Sequence, residues 1–306
     1  MRGGLSLKPS YYEALRRLTL QLAGVQMESD HAFLVETRLS DLARKEGYDT
    51  LDSMVEDLFA TGQSQLALHV VSTLVERDTH FNRDTRSFDA LFDHVLPDLI
   101  AKRGGGRIDL LSYGCGSGQD LYSIAIRAKQ PQYADMLAPI SLHLKGVDYP
   151  SQALERAHAG RYTHFEIQRG LPVRDMIAHF TPDPAPGSTD WLAAAHLKEN
   201  MSFEPTHLMA RKGQRESCHI ILFRGAVKHL SRSARFRVAK TLTLMLRHGG
   251  YLVLGSEDSL AEIQTGFTPV DGHPCVFRRN DPPPVGKQPT NKTTFDGAKP
   301  RRAATG

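Results

Sequence analysis

The sequence predicts an α/β protein in which a mostly parallel sheet is covered by helices on both faces and preceded by an all-α region. Two observations carry this prediction. From about residue 107, short apolar runs alternate with amphipathic stretches of helical length, a pattern typical of parallel sheets. From residue 11 to about 78, apolar residues follow helical spacing without strand-like alternation. The chain of 306 residues is long enough for two domains.

The N-terminal region is predicted to be an all-α domain covering residues 1–80. In "FLVETRLSDLARKEG", Phe33, Leu34, Leu39 and Leu42 lie near helical spacing, and Gly47 is a plausible terminator. The segment "TLDSMVEDLF" repeats the same periodicity. We therefore expect several short amphipathic helices here.

Residues 81–280 are predicted to form the sheet domain. The expected strands are "RIDLLSY", "SLHLKGVDY", "CHIILFRG", "GGYLVLGS" and "HPCVFRRN", and the expected helices are "DLYSIAIRAKQ", "SQALERAHAG" and "SARFRVAKTLTLML". The alternation lapses at about 161–206, where a small insertion with its own hairpins is expected. After residue 280 almost no apolar residue remains, and residues 281–306 are predicted to be a disordered tail.

The composition narrows the functional classes. With 40% hydrophobic and 24% charged residues, the chain has the composition of a soluble globular protein. Its net charge of +4 is small for a nucleic-acid binder, although it is compatible with an acidic protein substrate. Its three cysteines lack zinc spacing, no apolar run has spanning length, and "MRGGLSLKPS" lacks a signal-peptide core. We expect a cytoplasmic protein with no metal, no nucleic-acid partner and no direct membrane insertion.

The stretch "LLSYGCGSGQDLYS" predicts a ligand-binding turn between a strand and a helix. Gly114, Gly116 and Gly118 would allow a ligand to approach the backbone at the carboxyl end of the sheet. Asp120 at the start of the helix would repel a pyrophosphate but could accept a hydrogen bond from an ammonium group. This favours a ligand with an amino-acid portion, of which S-adenosylmethionine is the commonest. A tight structural turn is the alternative.

Asp148 follows the second strand, at the end of "HLKGVD". An acidic residue at this place can accept hydrogen bonds from both hydroxyls of a ribose. Capping of the next helix is the alternative. The glycine turn and Asp148 together favour a nucleoside site.

With these residues in place, the chain from about 11 to 280 resembles the CheR family of chemotaxis-receptor methyltransferases. "ERDTHFNRD" resembles the family's T-x-F-F-R-D segment, with Asn82 in place of the second Phe. "GCGSGQDLYSIAI" is similar to its G-C-S-T-G-E-E-P-Y-S-I-A, and "GVDYPSQALERAHAGRY" to its D-I-D…L-x-x-A-x-x-G-x-Y. "RLSDLARKEGYDTLDSMVEDL", "RGLP", "ILFRGAVKHL" and "GGYLVLGSEDSL" follow in the expected order.

The resemblance implies a Rossmann-like methyltransferase domain behind a helical domain, with a small antiparallel β-subdomain inserted. It implies transfer of a methyl group from S-adenosylmethionine to glutamate carboxylates of a chemoreceptor's cytoplasmic domain, with S-adenosylhomocysteine as product. In some members the subdomain tethers a receptor peptide by strand addition. The match makes Arg83 the residue that positions the substrate. The residues that would contact the cofactor are Thr79, Gly114, Gly116, Gly118, Asp120, Asp148, His207, Leu208, Arg224 and Gly225.

The sequence departs from the family's pattern in the expected pocket. Gly225 replaces an Asn that contacts the cofactor, and His229 replaces an active-site Tyr. Gln119 replaces the first of two consecutive carboxylates, and His207 replaces the Asn of an N-L pair. Two explanations fit: a divergent methyltransferase, in which His229 supplies a proton acceptor or a hydrogen bond, or a module that binds the cofactor without catalysis and acts in regulation. A changed acceptor would belong to the first explanation.

Overall fold

The computed structural model describes residues 7–28, 32–62, 64–75, 79–209, 217–259 and 266–280. The predicted tail at 281–306 lies outside the described residues. The N-terminal region is helical, as predicted, and its elements are α1 (Pro9–Ala23), α2 (Ala32–Lys45), α3 (Leu51–Thr61) and α4 (Ser64–Val75). A capping box between Thr50 and Ser53 begins α3. The domain boundary at residue 80 stays a prediction.

The remaining elements alternate between helices and strands. In chain order they are α5 (Thr85–Ala90), a π-helical turn (Leu91–Val95), α6 (Leu96–Arg103), β1 (Gly106–Tyr113), α7 (Gln119–Ala128), α8 (Pro131–Leu137), β2 (Ile140–Asp148), α9 (Gln152–Ala159), β3 (Arg161–Tyr162), α10 (His164–Gln168), α11 (Val173–His179), β4 (Phe180–Pro182), β5 (Trp191–Ala193), α12 (Ala195–Lys198), β6 (Met201–Pro205), β7 (Cys218–Phe223), a 3₁₀ turn (Val227–His229), α13 (Arg232–Met245), β8 (Leu246–Leu254), β9 (Phe267–Val270) and β10 (His273–Arg279).

The central sheet confirms the predicted α/β class. Within the described residues its strand order is β6-β2-β1-β7-β8-β10-β9. The first five strands pair in parallel, and β10 is antiparallel to both of its neighbours. The chain builds one half of the sheet outward from β1 through β2 to β6 and then returns to the centre as β7. The strand order therefore reverses at the position between β1 and β7. In open α/β sheets, ligands bind outside the carboxyl ends of the strands at such a switch point.

The small inserted sheet is antiparallel, as expected, with the order β3-β5-β4. Its strands lie between residues 161 and 193, so the predicted end of the insertion at 206 is too late. Met201–Pro205 instead pairs in parallel with β2 and forms an edge of the central sheet. The polar residues of "MSFEP" conceal this strand because an edge strand is half exposed.

Apolar side chains cover both faces of the central sheet. Phe88, Phe92 and Ile124 belong to the cluster on one face. On the other face α13 packs together with residues of α1 and α4, among them Ala23 and Val71. The segment after α1 is held against the sheet domain, because the backbone N–H of Ser231 donates to the carbonyl of Gly24 at 2.8 Å. This packing places the N-terminal helices beside the carboxyl ends of the strands.

Candidate active site

The glycine turn after β1 has the conformation that its sequence predicts. Gly114, Gly116 and Gly118 have φ values of 78°, 54° and 83°, which L side chains rarely adopt. A Cβ on Gly118 would lie 2.9 Å from the Cβ of Ala157 and from the ring of Phe203. Gly118 is therefore required for packing of the turn against α9 and β6.

Gln119 holds the turn to the segment before α5. Its side-chain oxygen accepts hydrogen bonds from the hydroxyls of Thr79 and Ser117, each at 2.7 Å. The side chain is fully buried, where a neutral amide avoids the desolvation cost of a carboxylate. In the sequence, Gln119 is recognisable only as a departure from the family's pattern. The amide positions Thr79 beside Gly116, whose Cβ, if present, would lie 3.1 Å from a Thr79 methyl group.

Asp148 closes the turn from the end of β2. One carboxylate oxygen accepts from the backbone N–H of Gly116 at 2.7 Å, and the other accepts from that of Tyr149 at 2.7 Å. A carboxylate offers about four lone pairs, so these bonds are compatible with a contact to ribose. Asp148 thereby joins the turn to the second strand and presents its carboxylate at the switch point.

Asp120 and Arg224 form a buried ion pair next to the turn. The guanidinium Nη1 lies 2.8 Å from the Asp120 carboxylate, and the Arg224 side chain is 4% exposed. The guanidinium also stacks 4.3 Å from the centre of the Phe88 ring, and its Nη2 donates to the carbonyls of Arg83 and Asp84. Asp120, which we expected to meet the ammonium group of a ligand, therefore already faces a cation.

Arg83 lies in a strained loop. Its neighbours Asn82 and Asp84 have φ values of 50° and 53°, in the left-handed region that costs non-glycine residues energy. The Asn82 amide donates to the carbonyl of Gly170 at 2.8 Å, which holds the loop from one side. On the other side, the Asp84 carboxylate accepts from the backbone N–H of Ser256 at 2.6 Å. The loop is thus fixed around Arg83.

The same contacts lower the pKa of the Asp84 carboxyl. Burial alone would raise this pKa, but hydrogen bonds from Ser256 and Ser87 and the positive charge of Arg224 outweigh burial. The net shift is downward from the ordinary value. Asp84 is therefore a carboxylate at neutral pH and keeps its bonds to the loop.

A cavity of about 670 Å³ lies between the N-terminal helices and the carboxyl ends of the strands. This volume falls within the range of small-molecule sites. A much smaller cavity, of about 30 Å³, lies under the glycine turn, with room for about one water molecule. Arg83 and Asp148 line both cavities, so they stand where the two meet.

The structure brings most of the predicted site residues to these cavities. Leu208, Gly225 and His229 line the large one, and Thr79, Gly114, Gly116, Asp120 and Arg224 line the small one. Gly118 lies instead in the packing contact described above. His207 packs edge-on against the ring of Tyr149, with 5.5 Å between ring centres. The predicted contacts of these residues with a cofactor stay predictions.

The walls of the large cavity carry more positive than negative charge. Arg38, Arg83, Arg169 and Lys228 line it, against the carboxylates of Glu28 and Asp148. Apolar residues such as Leu34, Val35, Phe223 and Val238 supply the rest of the wall. A positively biased, largely apolar cavity suits a substrate that brings a carboxylate to a nucleoside.

The described residues offer neither a metal site nor a membrane-spanning helix. Within the described ranges, no group of three or more His, Cys, Asp or Glu side chains could hold a metal ion. No described helix has both the length and the apolar character needed to cross a membrane.

The strand order and the glycine turn are those of a Rossmann-like domain, and comparison with known families identifies it as a methyltransferase that depends on S-adenosylmethionine. The family model for the CheR methyltransferase, SAM-binding domain, matches residues 77–276. This match covers more than half of the chain, and the chain belongs to the CheR methyltransferase family. Its cofactor is S-adenosylmethionine.

The chain aligns with two curated chemotaxis methyltransferases over nearly their whole length. Chemotaxis protein methyltransferase 1 of Pseudomonas aeruginosa is 24% identical over 269 residues, which are 88% of this chain and 97% of that protein. The chemotaxis protein methyltransferase of Vibrio parahaemolyticus is 27% identical over 274 residues, or 89% and 98%. A solved SAM-dependent methyltransferase from Methanosarcina mazei aligns with 51% of this chain and 55% of its own length, at 16% identity and with a TM-score of 0.30.

Proposed function

We propose that this protein transfers the methyl group of S-adenosylmethionine to glutamate side-chain carboxylates in the cytoplasmic domain of a chemoreceptor. The observation that carries the proposal is the position of Arg83 and Asp148 at the junction of the two cavities. There a nucleoside held by Asp148 and a carboxylate held by Arg83 would lie side by side. Such an enzyme works in the cytoplasm.

For this reaction the protein's main task is to align the acceptor carboxylate with the methyl group. When bound, S-adenosylmethionine supplies an activated methyl group with a sulfur leaving group. A glutamate carboxylate is already ionised at neutral pH, so no general base is needed. Holding the two reactants in line can account for a large part of the barrier. Arg83 orients the acceptor through its planar fork of donors, and Asp148 orients the ribose.

His229 contributes a second donor at the rim of the large cavity. It ends a 3₁₀ turn, and its backbone carbonyl accepts from the N–H of Gln26 at 3.0 Å. This bond ties the rim to the segment between α1 and α2. The His229 residue is exposed, and in the role of the family's Tyr its imidazole would donate a hydrogen bond to the acceptor carboxylate.

The test is transfer of a labelled methyl group to chemoreceptor cytoplasmic domains, followed by treatment with base. Carboxyl methyl esters release volatile methanol, whereas N-methyl products do not. The substitution Arg83→Ala should reduce transfer to a small residual rate while cofactor binding, measured by calorimetry, is kept. Arg86→Ala is the matched control, since Arg86 is exposed on α5 three residues away. Full transfer by the Arg83 variant would contradict the assigned role.

A regulatory module without catalysis is the second candidate. Two observations favour it: the Asp120 carboxylate already pairs with Arg224, and the cavity under the turn is small. Such a module would bind S-adenosylmethionine or S-adenosylhomocysteine and yield no base-labile methanol with any receptor. Absence of heat with both ligands would exclude both candidates.

A receptor peptide could also bind the inserted sheet, whose order leaves β3 and β4 as its edges. Strand addition to such an edge uses backbone hydrogen bonds. The proposal is tested by titrating C-terminal receptor peptides into the protein. Changes in the backbone amide NMR signals that are confined to residues 161–193 would support binding of the peptide at this sheet. The absence of any change would contradict it.

A further inference from the structure

The guanidinium of Arg83 occupies the space that a side chain at position 225 would need. Gly225 has a φ of 65°, and a Cβ built there would lie 2.3 Å from Nη2 of Arg83. The same Cβ would lie 3.0 Å from Cζ and 3.2 Å from Nη1. Residue 225 and Arg83 therefore compete for one volume, although they are far apart in the chain.

The backbone of Gly225 is held in place and cannot move aside easily. Its N–H donates to the buried Asp258 carboxylate at 2.5 Å. The same carboxylate accepts from the backbone N–H groups of Gly255 at 3.3 Å and Lys228 at 3.4 Å. This carboxylate thus fixes the whole turn after β7.

The backbone of Arg83 is held as well, because Arg224 donates to its carbonyl. The atoms that meet position 225 are the far end of its side chain. A side chain at 225 would therefore displace the guanidinium and leave the rest of the loop in place. The consequence falls on the group that we assign to the acceptor carboxylate.

We propose that Gly225 is a positioning residue, whose missing side chain seats the Arg83 guanidinium at the junction of the two cavities. This inference rests on the proposed function, since it assigns Gly225 to the step in which Arg83 orients the acceptor. The resembling family carries Asn here. Restoring that Asn in this chain, by Gly225→Asn, should lower transfer because Asn cannot share the space with Arg83.

The experiment compares Gly225→Ala and Gly225→Asn with Arg83→Ala and with the double variant Arg83→Ala/Gly225→Ala. Gly62→Ala is the matched control, because Gly62 has a φ of 63° and nothing within 4 Å of a Cβ. We expect kcat/KM for the acceptor to fall on the order of 100-fold in both Gly225 variants. The double variant should be no slower than Arg83→Ala, and Gly225→Ala should unfold at about the same temperature as Gly62→Ala.

Two kinetic results would overturn the inference: wild-type transfer by Gly225→Ala, or losses that multiply in the double variant. A second readout does not depend on activity. The Arg83 Nε–H signal, identified in ¹⁵N spectra by its loss in Arg83→Ala, should shift in Gly225→Ala and stay unchanged in Gly62→Ala. If it shifts while the wild type methylates no receptor, the proposed function fails and the seating of Arg83 stands; if it does not shift, the seating fails.

Discussion

Replacing Arg224 by Met tests the buried charge cluster beside the glycine turn. Met fills much of the same volume without a charge. The change removes the positive partner of two carboxylates. The Asp120 carboxylate lies 2.8 Å from Nη1 of Arg224, and the Asp84 carboxylate lies 3.8 Å from Nη2. It also removes the donor to the carbonyl of Arg83. Both carboxylates would then lose this cation in a largely buried place.

The size of the effect follows from burial. Removing one partner of a buried ion pair costs about 3–5 kcal/mol, because the other charge is left uncompensated. The side chains of Asp120 and Asp84 are 22% and 16% exposed, so water screens part of the penalty. We therefore expect Arg224→Met to lower the free energy of unfolding by about 3 kcal/mol.

Urea unfolding at pH 7 measures this loss, with Arg127→Met as the matched control. Arg127 also lies over an aromatic ring, at 5.3 Å from the centre of Phe92, and pairs with a carboxylate. That partner, Asp89, is 51% exposed, and an ion pair of this kind contributes about 0–1 kcal/mol.

The pH dependence gives a second check. Arg224 helps to keep the pKa of folded Asp84 below its ordinary value. That stability is present above the unfolded pKa and disappears as pH falls through the folded pKa. The loss caused by Arg224→Met should therefore shrink in acid. Equal losses in the Arg224 and Arg127 variants at pH 7 would refute the assignment of a buried cluster.

Two further predictions concern the cofactor and the core. Asp148→Ala should weaken binding of S-adenosylhomocysteine on the order of 100-fold, because the ribose loses a charged acceptor. Calorimetry measures this loss, with the exposed Asp135→Ala as control; equal affinities of the two variants for the ligand would contradict the prediction. Burial, followed by the charges of Arg103 and Arg247, lowers the pKa of His219 to about 4. Unfolded His binds a proton below about pH 6.5, so stability falls from there down to pH 4. His219→Asn keeps an acceptor for the N–H of Asp109. In urea unfolding, the free energy of unfolding of this variant should fall by about 2 kcal/mol less than that of the wild type between pH 7 and pH 5. An unchanged pH profile would show that His219 is not the group responsible.

The central strands were predictable because their burial is continuous. All six residues of β7 are buried, and a short, mostly apolar run such as "CHIILF" is typical of a central parallel strand. The edge strands β6 and β9 were not predicted, because "MSFEP" and "FTPV" are short and half exposed. Local pattern is therefore informative at the centre of this sheet and weak at its edges.

The site could be predicted only as far as its residues are local. Gly114, Gly116 and the end of β2 follow from the strand–turn–helix pattern. The ion pair of Asp120 with Arg224 joins residues from opposite halves of the sheet, and no spacing rule indicates it. For Gly118 the sequence could not distinguish contact with a ligand from packing against Phe203, a residue of the missed strand β6.

The departures from the family's pattern around Arg83 are each accommodated by specific contacts. Asn82, in place of a Phe, adopts a left-handed φ that Asn tolerates better than bulky residues, and its amide donates to the carbonyl of Gly170. The space at Gly225 is filled by the Arg83 guanidinium. Asn82 thus holds the loop that carries Arg83, and Gly225 leaves room for its guanidinium. Because both replacements bear on the residue proposed to orient the acceptor, they favour a methyltransferase over a module without catalysis.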